Sequence, residues 1–121
     1  MENNPYLAGL DLVKRYSGTS GRAALAKCIL SLYNCEHAFS MGEILGSLDT
    51  IYTKTVLAMV NEYANHGETE ELRQAGEYVY ENFPRLIEIS GAMANARAEV
   101  RQEWDRQREE ESRRLYPEEH L

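Results

Sequence analysis

The sequence predicts an all-α domain. Three observations carry this expectation: apolar residues recur at steps of three and four along the chain, no short stretch alternates apolar with polar as a half-buried strand does, and cap and stop residues separate the periodic stretches. At 121 residues and 43% hydrophobic, the chain is one domain's worth, long enough to bury roughly two thirds of its unfolded surface. The expected architecture is a compact bundle of about five to six helices over residues 1–104, followed by a charged helical extension over 105–121.

Each element has its own local signal. Asn4 and Pro5 form a cap and first-turn pair, after which Tyr6, Leu7, Leu10, Val13 and Tyr16 recur at helical spacing. Glycines and hydroxyl residues over 17–21 then favour a turn, and a second helix starts near Ser20. Residues 22–36 are apolar nearly all round, with Lys27, Ser31 and Asn34 drawing one narrow polar stripe, so this helix belongs at the centre of the bundle. Ser40 and Glu43 stand at capping-box spacing, which predicts a short helix over 41–45 that ends at Gly46 and is stapled at its start by Phe39. A long fourth helix over 48–65 carries one continuous face that includes Ile51, Tyr52, Val56, Met59, Val60 and Tyr63.

Gly67 is expected as a left-handed stop, and Thr69 as the cap of a fifth helix that buries Leu72, Ala75, Val79 and Phe83. Pro84 ends that helix and opens a sixth. From there Leu86, Ile89, Met93, Ala96, Val100 and Trp104 keep a single stripe, so core contact is expected to stop near Trp104. Residues 105–114 contain no apolar side chain, while Glu109 with Arg113 and Glu110 with Arg114 are favourable i, i+4 pairs. At about 1.5 Å per residue the last helix reaches some 45 Å and should project, unless Gly91 bends it. Its small residues, Gly91, Ala94 and Ala98 among them, suit close packing on the core helix or a two-fold dimer with Val100 and Trp104 in the seam.

The charge is unevenly placed. Thirteen basic residues against twenty acidic ones give a net charge of −7, which disfavours direct nucleic-acid binding through phosphate neutralisation. Residues 1–61 are neutral, whereas 62–81 hold six glutamates against Arg73 alone. The candidate partner-binding residues are therefore Glu62, Glu68, Glu70, Glu71, Glu77 and Glu81, a surface able to imitate phosphate toward a basic protein. Acidic residues at a helix start are also locally stabilising, so a solvated face is the competing reading. Tyr33, Tyr52 and Tyr63 fall on core stripes, but Tyr78 and Tyr80 cannot both point inward from one helix, which leaves an aromatic anchor among the carboxylates. Trp104 is the remaining candidate, either as a last core contact or as a partner hot spot.

Other chemistries find little purchase. Cys28 and Cys35 read as buried thiols in a reducing compartment, since seven residues along one helix hold their Cα atoms about 10 Å apart, beyond a disulfide's reach. Only His37 lies near them, with His66 and His120 far along the chain, so neither a metal site nor a cofactor is expected. Asn34, Cys35 and His37 lack the spacing of a known dyad, and packing is the better reading. The turn over 18–22, GTSGR, opens a helix but lacks the ending of a phosphate-binding loop, so it reads as a capped turn. No enzyme is expected. With no apolar run near 20 residues and an N-terminus, MENNP, without a signal pattern, the expectation is a soluble cytoplasmic protein with no membrane partner.

Thr19-Ser20-Gly21-Arg22, the run from Ile29 to Cys35, and Phe39 through Glu43, Ile44 and Asp49 resemble a small family of uncharacterised domains carried by bacterial plasmids and prophages. In that family a Thr-Gly turn precedes a helix ending in an aromatic residue and Asn, then a Phe-Asp segment and a further Asp. Here Ser40 stands where Asp is usual and Tyr33 where Trp is usual. The resemblance spans about half the chain and implies an accessory gene of a phage or mobile element, a setting in which small acidic proteins act as inhibitors of host defence, including anti-CRISPR proteins. The functional expectation is thus a non-enzymatic, protein-binding factor that docks its acidic surface on a basic, nucleic-acid-handling partner. The alternative is a structural or regulatory homo-oligomer, such as a homodimer, assembled through the C-terminal helix.

Overall fold

The computed structural model describes residues 4–15, 20–46 and 48–121. Six α-helices follow one another: α1 (Pro5–Arg15), α2 (Ser20–Tyr33), α3 (Met41–Leu45), α4 (Thr50–His66), α5 (Glu70–Asn82) and α6 (Pro84–Leu115). Short 3-10 turns at Cys35–His37 and Pro117–His120 complete the chain, and no strand forms among the described residues. The all-α bundle expected from the periodicity is the fold observed. Tyr16 and the first two residues of the GTSGR turn fall outside the described residues.

The caps explain where the helices start. Asn4 Oδ1 accepts from the backbone N–H groups of Tyr6 and Leu7, Ser40 Oγ from that of Glu43, and Thr69 Oγ1 from that of Leu72. Asp49, which the sequence reading placed inside the fourth helix, is its N-cap and accepts from Tyr52 N–H at 2.9 Å. Gly67 ends α4 with φ of +68°, a backbone region that favours glycine, while its N–H donates to Tyr63 C=O.

Helix α2 is the hub: it packs against α1, α3, α4 and α5, and it buries Ala24, Leu25, Ala26, Cys28, Ile29 and Leu30. Around it lie Tyr6, Leu10 and Val13 of α1, Ile44 of α3, Val56 and Met59 of α4, and Leu72, Ala75 and Val79 of α5. Two close approaches set the spacing. The Tyr52 ring meets Gly21 with its Cδ2–Cε2 edge, and the Tyr33 ring lies against Gly76, where any side chain would collide. The polar stripe of α2 is used to hold the chain that follows it: Ser31 Oγ donates to Lys27 C=O and accepts from Phe39 N–H, while the Lys27 ammonium stands over the Phe39 ring.

Four expectations require correction. Helix α2 stops at Tyr33, because Asn34 turns to extended backbone and caps the 3-10 turn, so Cys35 leaves the helix and is exposed while Cys28 is buried. The face of α4 is narrower than its periodicity suggests: Val56 and Met59 are buried, while Ile51 and Tyr63 are exposed. The apolar stripe of α6 does not pack to Trp104. Its last fully buried residue is Ser90, Met93 and Ala94 are half-buried, and Ile89, Val100 and Trp104 are exposed. Finally, the small residues of α6 do not pack on the core helix, with open space at Gly91, whereas the unbroken helix of 32 residues, about 48 Å long, is as expected. That length outreaches the body, which α6 meets chiefly through the Cys35–His37 turn and the neighbouring end of α5.

Candidate functional site

Helix α5 buries Leu72, Ala75, Gly76 and Val79, so the opposite side is set by the helical period. Glu70, Glu77 and Glu81, at spacings of seven and four, form a row on that outward side and are all exposed. Arg73 reaches Glu70 at 3.7 Å, but no ion pair forms at Glu77 or Glu81 among the described residues. Two tyrosines flank the row. Tyr78 is half-buried with the Lys14 ammonium 4.9 Å from its ring centre, and Tyr80 is half exposed on the other flank. The aromatic the sequence required to face outward is Tyr80.

Beside Tyr80 lies a shallow pocket of about 190 Å³ lined by Tyr33, Asn34, Glu77, Tyr80 and Glu81. The Cys35–His37 turn braces Tyr80: the His37 ring meets the Tyr80 ring edge to face, with centroids 5.7 Å apart, and His37 Nδ1 lies 2.8 Å from Ser90 Oγ. Ser90 Oγ also donates to Leu86 C=O and is fully buried, so it anchors α6 to the body and is out of reach of a substrate. Sequence reasoning missed this pair, because 53 residues separate its members and neither belongs to a motif.

The other acidic candidates do not join the row. Glu62 faces the α1 side, 2.7 Å from His66 Nδ1, and its carboxylate is next to Tyr6, whose hydroxyl donates to Gly67 C=O. Burial, then the Glu62 charge, pushes the Tyr6 hydroxyl up to about 12. Glu68 is exposed in the α4–α5 connection and Glu71 is half-buried in the first turn of α5, where the helix dipole favours its charge. Trp104 is separated from the row altogether: twenty residues of helix, about 30 Å, lie between it and Pro84 at the α5–α6 junction. The candidate residues therefore fall on two separate parts of the structure, the outward face of α5 and the free length of α6.

From Glu103 onward several charges on that free length are paired locally. Arg106 bridges Glu103 and Glu110, which holds the Glu103 carboxyl below its usual range and raises the Arg106 guanidinium. Arg113 pairs with Glu109 as expected, whereas Glu110 takes Arg106 as its partner in place of Arg114.

Arg22, the one described cation of the GTSGR turn with a long side chain, is engaged internally. Its Nε donates to Val13 C=O at 2.8 Å, satisfying a carbonyl in the last turns of α1, and its guanidinium stands 4.3 Å from the Phe83 ring centre. It clamps the α1 end to the α5–α6 junction. Burial pushes the Cys28 thiol up to about 12, which suits a packing residue and not a nucleophile. Among the described residues, no three His, Cys, Asp or Glu side chains converge as a metal site would need, and no helix is long and apolar enough to cross a membrane. No family model, curated protein or solved structure matches the chain.

Proposed function

We propose that the chain is a non-enzymatic protein-binding factor that docks the outward face of α5 on a basic surface of a nucleic-acid-handling protein. The observation that carries this reading is the row of Glu70, Glu77 and Glu81 with Tyr80 at its rim: carboxylates left largely without cations, set beside a half-exposed aromatic. Unpaired carboxylates steer a basic partner and set orientation, and an aromatic that enters a partner pocket supplies desolvated contact area. The pocket between Tyr33 and Tyr80, floored by Glu77 and Glu81, has the chemistry to accept an arginine or lysine side chain. With the resemblance to plasmid- and prophage-borne domains, the biological role proposed is that of an anti-defence inhibitor of the anti-CRISPR kind, acting in the cytoplasm.

The test has two stages. Capture from lysate of a bacterium with a nucleic-acid-targeting defence, followed by mass spectrometry, names the partner. The triple variant Glu70→Lys, Glu77→Lys, Glu81→Lys is then compared with the unaltered chain. The expected result is a loss of affinity of at least about tenfold, with the unaltered chain binding more weakly as salt rises. Phage plating on that host should rise with the unaltered chain and not with the variant. Affinity unchanged by the triple reversal would remove the docking face.

A further inference from the structure

The sixth helix carries an apolar face that its own chain leaves uncovered. Ile89 is 54% exposed, Val100 48% and Trp104 59%, and Ala96, Val100 and Trp104 frame a shallow recess of about 360 Å³ with Arg97 and Arg101 along one edge. At about 100° of rotation per residue, Ile89, Met93, Ala96, Val100 and Trp104 all fall within a band of roughly 80° centred on Val100. The edges of that band differ in sign. Arg97, Arg101 and Arg108 line one side, while Glu99, Glu103 and Glu110 line the other.

This arrangement is unfavourable inside a single helix. Arg106 offsets Glu103 and Glu110, and Asp105 offsets Arg108, but Arg97 with Arg101 and Glu99 with Glu103 are like-charge i, i+4 pairs, and no ion pair forms at Arg97, Arg101 or Glu99 among the described residues. A partner helix with the same two edges reverses the balance.

We propose that this face is covered by α6 of a second copy of the chain, in a parallel two-helix coiled coil with its two-fold axis along the helices. In that orientation the basic edge of each helix lies against the acidic edge of the other, so Arg97 and Arg101 meet the partner's Glu99 and the partner's Glu103. Antiparallel pairing of the same faces sets basic against basic and acidic against acidic. Edge charges of this kind choose partner and direction in coiled coils. The body does not obstruct the seam. Leu86, Ile87 and Ser90, through which α6 meets the rest of the chain, lie at about 40°, about 140° and about 80° from the centre of the band, all on its basic side and at the start of the helix, so the two bodies stand on opposite sides. The seam from Ile89 to Trp104 spans about 23 Å, or two heptads, so pairing depends on concentration. The proposal is independent of the acidic face of α5.

Sedimentation velocity of the full chain from about 1 to about 500 µM tests it. The expected result is a rise from the 13.9 kDa monomer to twice that mass, with Trp104→Ala or Val100→Asp moving the midpoint at least about tenfold higher, and circular dichroism unchanged because α6 contributes no apolar residue to the buried core. The triple reversal on α5 should leave the mass profile as it is. Arg97→Glu with Arg101→Glu, and separately Glu99→Arg with Glu103→Arg, should each be monomeric alone and should pair when mixed. In a Cys35→Ser background, Gln107→Cys sits on the seam and should cross-link to its own copy under mild oxidation. Monomer at every concentration, or a dimer indifferent to Trp104→Ala and Val100→Asp, overturns the proposal. Cross-linking of Gln107→Cys only to a Met93→Cys variant overturns the parallel orientation.

Discussion

Gly76 is where α2 and α5 come closest, and replacing it with alanine measures what that approach is worth. A methyl carbon built there would sit 2.2 Å from Cγ of Tyr33 and 2.5 Å from each Cδ. Cγ is the root of the ring, one bond from Cβ, so the ring cannot swing clear without a shift of α2 in a close-packed interior. Overpacking of this kind costs about 1–3 kcal/mol, whereas removing a glycine from a helix interior returns about 1 kcal/mol. The net expectation is destabilisation by up to about 2 kcal/mol. Gly91 supplies the opposite case: it is also inside a helix, but nothing lies within 4 Å of the added carbon. Gly91→Ala should therefore stabilise by about 0.5–1 kcal/mol. At about 4 °C per kcal/mol for a chain of this size, Tm falls by up to about 8 °C in the first variant and rises by about 2–4 °C in the second. Urea unfolding with an unchanged m-value confirms that the effect is on native stability. Tyr33 also lines the α5 pocket, so Gly76→Ala should weaken partner binding as well. A rise in Tm for both variants would refute the α2–α5 spacing and the pocket geometry that follows from it.

Three further outcomes follow from the same contacts. Arg22→Ala removes a hydrogen bond to Val13 C=O and a ring contact with Phe83, and should cost about 1–3 kcal/mol in urea unfolding; a loss below a few tenths would mean that the clamp is idle. Under native conditions a thiol reagent should modify Cys35 at once and Cys28 only as the protein unfolds, so two equally fast thiols would contradict the burial of Cys28. The folded Cys28 thiol and Tyr6 hydroxyl hold their protons to about 12, while the unfolded groups release theirs from about 9.0 and 10.0, so both contributions are complete below pH 9 and are lost as the pH rises toward 12. Within that window Cys28 alone contributes a slope of up to about 1.4 kcal/mol per pH unit, and Cys28→Ala should flatten it; equal slopes in the two proteins would refute the assignment.

Helix identity was legible because it depends on local order. Ser40, Thr69, Asn4 and Pro84 act within one turn of where they stand, and each caps or opens the helix that its neighbours suggest. The outward glutamates of α5 were legible for the same reason, since one period relates them to Leu72, Ala75 and Val79. What escaped the sequence depends on contacts between distant segments. Neither the spacing of His37 and Ser90 nor that of Arg22 and Phe83 marks them as partners, yet these pairs fix where α6 leaves the body. The end of α2 was missed by three residues because Asn34 was read as the last polar position of a stripe, although its side chain was better placed to cap the turn that follows.

The face of α6 shows a different kind of illegibility. Apolar periodicity reports that a helix has a side to bury, and it reads the same whether the cover is the helix's own core or another chain. The stripe from Leu86 to Trp104 was extended into the bundle on that basis, and only its first turns belong there. The flanking charges carry the information that the stripe lacks. Beside Val100 the two edges are each of one sign over four residues, an order that costs energy in a lone helix and favours a neighbour with the same order. In α1, a helix that packs inside, the exposed Asp11 and Arg15 instead pair with each other at i, i+4. On α6 the pairing along the helix resumes with Arg106, which bridges Glu103 and Glu110, so the order that favours a neighbour is confined to Arg97, Glu99 and Arg101 around Val100.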